Sequence, residues 1–247
     1  MDLFLESLSH ASFWAAVGQI ILIDILLGGD NAVVIALACR ELPANLRLKG
    51  IVWGTVGAIV LRVALIFFAL TLLQIPYLKL VGAVLLVWIG VKLLAQHDAT
   101  EQHEVAASER LWSAIKTIVV ADLVMSIDNV VAVASAAEGA HSAAKMPLVV
   151  FGLLVSIPII VGGSQLVLRL MDRWPIIITL GGLLLGYIAG AMAITDHAWG
   201  QDNLTAWASW KWLAGAAGAL LVLMWSRLLA RPTQPTPKKL ANRFEVR

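Results

Sequence analysis

Two apolar stretches of this chain, each inside a run long enough to cross a bilayer, carry the same polar pattern, and few folds tolerate that. The first is Leu22-Ile23-Asp24-Ile25-Leu26-Leu27-Gly28-Gly29-Asp30-Asn31-Ala32-Val33. The second is Val119-Val120-Ala121-Asp122-Leu123-Val124-Met125-Ser126-Ile127-Asp128-Asn129-Val130. Asp24 and Asp122, Asp30 and Asp128, and Asn31 and Asn129 all lie 98 positions apart. The same offset pairs Trp14 with Trp112, Ala16 with Ala114, Ile20 with Ile118, Val33 with Val131, Ala36 with Ala134 and Gly54 with Gly152. This is an internal duplication. A charge at the centre of a membrane helix costs about 2.5 to 3.5 kcal/mol on the insertion scale, so such carboxylates face a partner, an ion path or water.

The chain as a whole fits a membrane. Of its 247 residues 60% are hydrophobic and 14% charged, a balance unlike that of a soluble domain of this size. The net charge of +2 is what loop-end Lys and Arg give any membrane protein, so nucleic acid is set aside as a partner. The single cysteine, Cys39, forms no internal disulfide, and with five scattered His it makes no zinc pattern. Met1-Asp2-Leu3-Phe4-Leu5-Glu6 lacks the basic segment and cleavage site of a signal peptide, so the first span is expected to be retained.

A crossing takes about 20 predominantly apolar residues. On that rule seven spans are expected: Phe13 to Cys39, Gly50 to Leu73, Leu78 to Ala95, Leu111 to Ala137, Pro147 to Leu168, Pro175 to Ile194 and Lys211 to Leu229. Trp14, Trp53, Trp112, Trp174, Trp210 and Trp212 stand near span ends as interfacial anchors, and Pro175 suits the first turn of the sixth helix. Trp88 and Trp225 sit deeper and are expected to pack between helices. With the N-terminus outside, Arg40, Arg47, Lys49, Lys92, Arg110, Lys116, Arg169, Arg173, Arg227, Arg231, Lys238, Lys239, Arg243 and Arg247 all fall on the cytoplasmic side, against Lys79, Lys145 and Lys211 outside. The expected location is therefore the cell's inner (plasma) membrane, multi-pass, with the C-terminus cytoplasmic.

Three spans separate the two motifs, an odd number, so the second copy enters the membrane in the opposite direction to the first. The expected fold is all-α and polytopic: seven transmembrane helices, a 3+3 inverted repeat plus one additional C-terminal helix. The repeats cover about residues 13–95 and 111–194, with the third and sixth spans matching after one inserted residue (Gly82 with Gly181, Trp88 with Tyr187). The extra helix spans 211–229, residues 1–230 form a single transmembrane domain, and 231–247 is a basic, Pro-rich cytoplasmic tail. Inverted repeats place a substrate or ion site near the midplane. Asp24 lies ten residues past Trp14 and Asp122 ten past Trp112, about 15 Å of helix, from opposite faces of the membrane. Gly50, Gly54, Gly57, Gly182, Gly186 and Gly190 are expected to serve close helix packing, and Pro158 to kink the fifth span beside Gly162-Gly163.

Asp24 and Asn31 are seven residues apart, as are Asp122 and Asn129, so on a continuous helix each pair shares a face. Asp30 and Asp128 lie about 120° round from the first Asp and join it only if the backbone breaks or the face is wide. Gly28-Gly29 offers such a break in the first copy, whereas the second has Ser126-Ile127. Four carboxylates, two amides and freed carbonyls make a hard-oxygen set suited to magnesium, calcium or manganese. Arg62 is the nearest intramembrane counter-charge and can pair with one Asp, which leaves three uncompensated negative charges. Four clustered carboxylates do not all stay ionised cheaply in a dry site, so protons are expected to replace the metal. His97, Asp98, Glu101, His103 and Glu104 after the third span, and Asp196, His197 and Asp202 after the sixth, read as solvated loop charges.

The paired motifs, one in the first span and one in the fourth, resemble those of the TerC family of integral membrane proteins, in its compact YjbE-type branch and within the LysE-like exporter superfamily. The resemblance implies manganese export, a link to metal or tellurium-oxyanion resistance, and a metal site formed by Asp24, Asp30, Asn31, Asp122, Asp128 and Asn129. It implies no prosthetic cofactor and no enzymatic activity; Mn2+ or another hard divalent cation is the transported substrate. The partners are then that ion and the bilayer, with a homodimer allowed. Two rivals stand beside this reading. An intramembrane aspartyl protease also carries two membrane Asp, but Leu27-Gly28-Gly29 before Asp30 lacks the first glycine of Gly-x-Gly-Asp, and four Asp exceed a dyad. An amino-acid exporter would need a cationic group for the substrate carboxylate, and Arg62 alone offers one.

Overall fold

The computed structural model describes residues 11–73, 75–95, 107–136, 145–199 and 208–229, with some side chains inside these segments, that of Asp128 among them, outside the description. The cytoplasmic cluster His97 to Glu104, Asp202, the side chain of His197 and the tail 231–247 also lie outside the described residues. What is described is helical. The α-helices are α1 (Ala11–Arg40), α2 (Ala44–Leu73), α3 (Leu78–Ala95), α4 (Ala107–Ala136), α5 (Lys145–Arg173), α6 (Ile176–Ala193) and α7 (Lys211–Leu229), with 3-10 turns at His197–Trp199 and Ala208–Trp210. Among them α2, α3, α5, α6 and α7 are long and apolar enough to cross a membrane. The other two, α1 and α4, are 30 residues each and carry the motif carboxylates.

Helix is the form in which an apolar segment satisfies its own backbone without water. Breaks fall where the chain chemistry forces them. Pro43 separates α1 from α2, with the Leu42 amide donating to the Cys39 carbonyl at 3.1 Å. Trp174-Pro175 separates α5 from α6, and Pro175 caps α6 with φ −57°. Tyr77 precedes α3 with φ 65°, a left-handed turn. One expected break does not occur: α1 runs unbroken through Gly28-Gly29. Pro158, where a kink is expected, lies inside α5 with helix on both sides of it. Both stretches are flanked by enough apolar helix for the hydrogen-bonded ladder to resume on either side.

The helices pack as two groups. α1, α2, α4 and α5 form the first: α2 lies along α4 and α5 along α1, with α1 also touching α4 and α2 touching α5. Gly54 abuts Ile118 early in α2 and α4, and Arg62 bonds Ser126 further along both, so this pair is parallel. Trp14 meets Phe151 edge-on at 6.1 Å, and Gly163 faces Ala32 further along, so α1 and α5 are parallel too. The second group is α3, α6 and α7. Gly82 lies by Met192 and Gly182 by Leu94, which makes α3 and α6 antiparallel. Between α6 and α7 the backbones touch: a Cβ on Gly186 would stand 2.5 Å from the Gly218 carbonyl oxygen. Glycine permits that approach where lipid supplies no hydrophobic drive. Leu37, Ile51, Leu86, Ile118 and Leu185 belong to one core that joins the groups.

The outer surface is apolar, with Val60, Phe67, Phe68, Val84, Leu166 and Leu228 exposed. The six tryptophans near helix ends are exposed as well. Trp88 and Trp225, expected between helices, also point outward, at 60% and 52% exposure, and Lys92 reaches over the Trp88 ring. The reason is spatial: the inner faces of α3 and α7 are taken by Gly90, Gly215 and Gly218, which leave no room for an indole. At one end, Arg47 ties the α1–α2 connection to α5, donating to Asp172 at 2.8 Å and to the carbonyls of Leu42 and Arg40. At the other end Asp196 is wholly buried, not a solvated loop charge as expected. Its carboxylate accepts from the backbone amides of Tyr77 (2.8 Å), Leu80 (3.1 Å) and Ala198 (2.7 Å), capping α3 from the end of α6. Burial alone raises the Asp196 pKa, but amides of Ala198, Tyr77, Leu80 and Lys79 outweigh it and hold the carboxyl below its ordinary value.

Candidate ion site between the two motif copies

Asp24 and Asn31, seven residues apart on the continuous α1, do share a face, and both are buried. On α4, Asp122 and Ser126 are one turn apart and also buried, so the Ser126 hydroxyl donates to Asp122 Oδ2 at 3.1 Å. Asn31 crosses between the copies, its Nδ2 donating to Asp122 Oδ1 at 3.0 Å. The two motif copies therefore meet directly.

Arg62 of α2 stands between them with 2% of its surface exposed. Its Nη1 bonds Asp24 Oδ1, its Nη2 donates to Asp122 Oδ1 at 2.5 Å, and its Nε donates to Ser126 Oγ at 3.0 Å. Sequence reasoning allowed it one carboxylate; it takes one from each copy. The planar fork of a guanidinium is what lets one cation do this. Ser126 thereby acts as a relay, accepting from Arg62 and donating to Asp122, instead of being a free ligand.

Several buried oxygens nonetheless lack a donor. Asp24 Oδ2, Asp30 Oδ1 and Asn31 Oδ1, all on α1, have no hydrogen-bond partner, and neither does Thr55 Oγ1. Thr55 lies seven residues before Arg62 on the same face of α2 and is 1% exposed; nothing in the sequence pattern marked it. Unpartnered buried acceptors are costly, and a cation or added protons satisfy them. Asp30 is partly buried, outside the Arg62 fork, in keeping with its position round the helix. Asn129 is partly buried, and Asp128 is described only through its backbone. Among the described residues no group of three or more His, Cys, Asp or Glu gathers around one point.

The sequence profile described as "Integral membrane protein TerC family" matches residues 9–234, nearly the whole chain and both motif copies. The chain belongs to the TerC family. It is an integral membrane protein. This TerC-family chain is 45% identical over 174 residues to the uncharacterized membrane protein YjbE of Bacillus subtilis, covering 70% of this chain and 77% of the relative. It is 25% identical over 196 residues to YceF of the same organism, covering 76% and 74%. To the inner membrane protein YgdQ of Escherichia coli K12 it is 28% identical over 136 residues, covering 48% and 56%. No solved structure matches the chain.

Proposed function

We propose that this chain exports a divalent cation, most simply manganese, through a midplane site shared by α1 and α4. The observation that carries the reading is the buried network itself: two motif copies joined through Asn31, Asp122 and Arg62, with donor-poor oxygens of Asp24, Asp30 and Asn31 beside it. Hard oxygens in that number suit a hard dication. Asp24, Asp30, Asn31, Asp122, Asp128 and Asn129 are the proposed ligands. Manganese, and outward direction, are part of the proposal and rest on what the resemblance to the family implies.

The finer architecture goes with this reading. Seven spans are proposed, α1 and α4 crossing with the five apolar helices, as an inverted repeat of α1–α3 and α4–α6 followed by α7. The exchange of partners supports it: α2 runs parallel to α4 as α5 runs parallel to α1. The proposed orientation has the N-terminus outside and the tail 231–247 in the cytoplasm. A protease dyad fits poorly, since the Arg62 guanidinium bridges Asp24 and Asp122. Protons entering from outside are the proposed counter-ions, exchanging for the dication as the site is exposed alternately on each side.

The test is the cellular content of each divalent metal with and without the protein, followed by uptake into inverted vesicles. Manganese should accumulate in cells lacking it and enter vesicles that contain it. Unchanged content of every divalent metal would refute the reading. Coupling is read in liposomes with a pH-sensitive dye and a manganese gradient, where metal flux without proton movement would leave a uniporter.

A further inference from the structure

The ion site has its own cation in place. Arg62 is 2% exposed, and its two terminal nitrogens bind one carboxylate from each motif copy. It comes from α2, which lies within the first repeat but carries no part of the motif. The position equivalent to it in the second repeat, 98 residues on, is Ile160. A single positive charge thus serves two copies of a carboxylate. The same fork blocks the approach of those carboxylates to a common ion, although Asp24 Oδ2 and Asn31 Oδ1 stay unpartnered next to it.

We propose that Arg62 is a tethered stand-in for the transported cation: it neutralises Asp24 and Asp122 when no metal is bound, and must withdraw from at least one of them for the metal to load. The inference rests on the metal reading above. Its physical basis is that two buried carboxylates left bare would be strongly disfavoured, whereas an exchange of one cation for another keeps the site compensated at each stage. The guanidinium then sets the affinity. A metal that binds only when Arg62 is withdrawn has its apparent affinity reduced by the fraction of time the arginine is docked. It also carries a return charge, so that the empty site can reorient with Asp24 and Asp122 already balanced, and protons need balance only the remaining carboxylates.

The experiment uses full-length protein in nanodiscs and the Mn2+ electron paramagnetic resonance signal, which is lost on binding. Wild type, R62A, R62K and D24N are titrated with Mn2+. R62A should bind roughly tenfold more tightly than wild type, the factor expected if Arg62 is docked about nine-tenths of the time. Millimolar guanidinium should weaken Mn2+ binding by R62A, because a free guanidinium can re-enter the vacated fork, while sodium at equal concentration does not. R62K, which keeps the charge but lacks the planar fork, should fall between wild type and R62A. Equal affinity of R62A and wild type, or no special effect of guanidinium, overturns the inference while leaving the metal reading intact, provided wild type binds and D24N does not. Absence of Mn2+ binding by wild type and R62A alike overturns both. Should R62A fail to fold, wild type labelled with 15N-arginine decides by infrared difference spectroscopy: Mn2+ must shift the guanidinium bands, and unshifted bands overturn the inference.

Discussion

Asn31 of the first motif copy donates its side-chain amide to Asp122 of the second, at 3.0 Å. The bond gives the first motif's amide a role beside its carboxylates: Asn31 of one half holds Asp122 of the other. Asn31→Ala removes a buried bond to a charged group, worth about 1.5–3 kcal/mol. The variant should reach the membrane, unfold at lower temperature by that loss of stability, and transport manganese more slowly because Asp122 is no longer held in place. Thermal unfolding in detergent and vesicle uptake measure the two effects; wild-type behaviour in both would show the bond to be dispensable.

The carboxylates should differ in what they cost. Asp24→Asn, Asp30→Asn, Asp122→Asn and Asp128→Asn are each expected to abolish or severely weaken metal transport while leaving protein in the membrane. Asp122→Asn should also destabilise most, since Asp122 accepts from Arg62, Asn31 and Ser126, and an amide would set a donor against them. Breaking a buried pair on one side costs about 3–5 kcal/mol. Asp30, outside the Arg62 fork, should lose transport with little loss of stability. Normal transport by any two of these variants at equal abundance would make the carboxylates structural.

Asp196 predicts a pH effect away from the ion site. Its carboxyl is held below its ordinary value, against the burial that raises it, by the amides of Ala198, Tyr77, Leu80 and Lys79. A depressed folded-state pKa means stabilisation present at neutral pH, above the unfolded value, and lost as pH falls through the folded one. Asp196→Ala should lower stability by about 0.5–2 kcal/mol, the range for losing a helix cap. It should also flatten the acid limb of the stability profile. An acid limb as steep as in wild type would place the titrating group elsewhere.

The helices were legible because apolar runs and prolines decide where a membrane segment begins and stops: α3 and α7 have the bounds read from the chain, and α1 ends one residue from its expected limit. The shared face of Asp24 and Asn31 followed from helical periodicity alone. Long-range partners did not. Periodicity places Arg62 on α2 but says nothing of a reach that spans two other helices. Asp196 looked like any loop acid because its partners, the amides at the start of α3, are more than a hundred residues away in sequence. Trp88 and Trp225 were misread since depth along a helix does not reveal which way a side chain faces.

Two glycines separate packing from flexibility. A Cβ on Gly218 would stand 2.9 Å from the Gly190 nitrogen and closer still to the Gly186 carbonyl oxygen, both backbone atoms of α6 that cannot step aside. Gly218→Val should therefore push α7 from α6 and cost about 1–3 kcal/mol or more, as overpacking does. Gly29 is the opposite case, with no atom within 4 Å of an added Cβ and an unbroken α1 on both sides. Gly29→Ala should leave stability unchanged or raise it by up to about 1 kcal/mol, the gain in helix propensity. If α1 stays continuous throughout transport, Gly29→Ala should also move manganese at the wild-type rate. A variant that is more stable yet slow would instead show that α1 opens at Gly28-Gly29 during the cycle, freeing carbonyl oxygens for the ion.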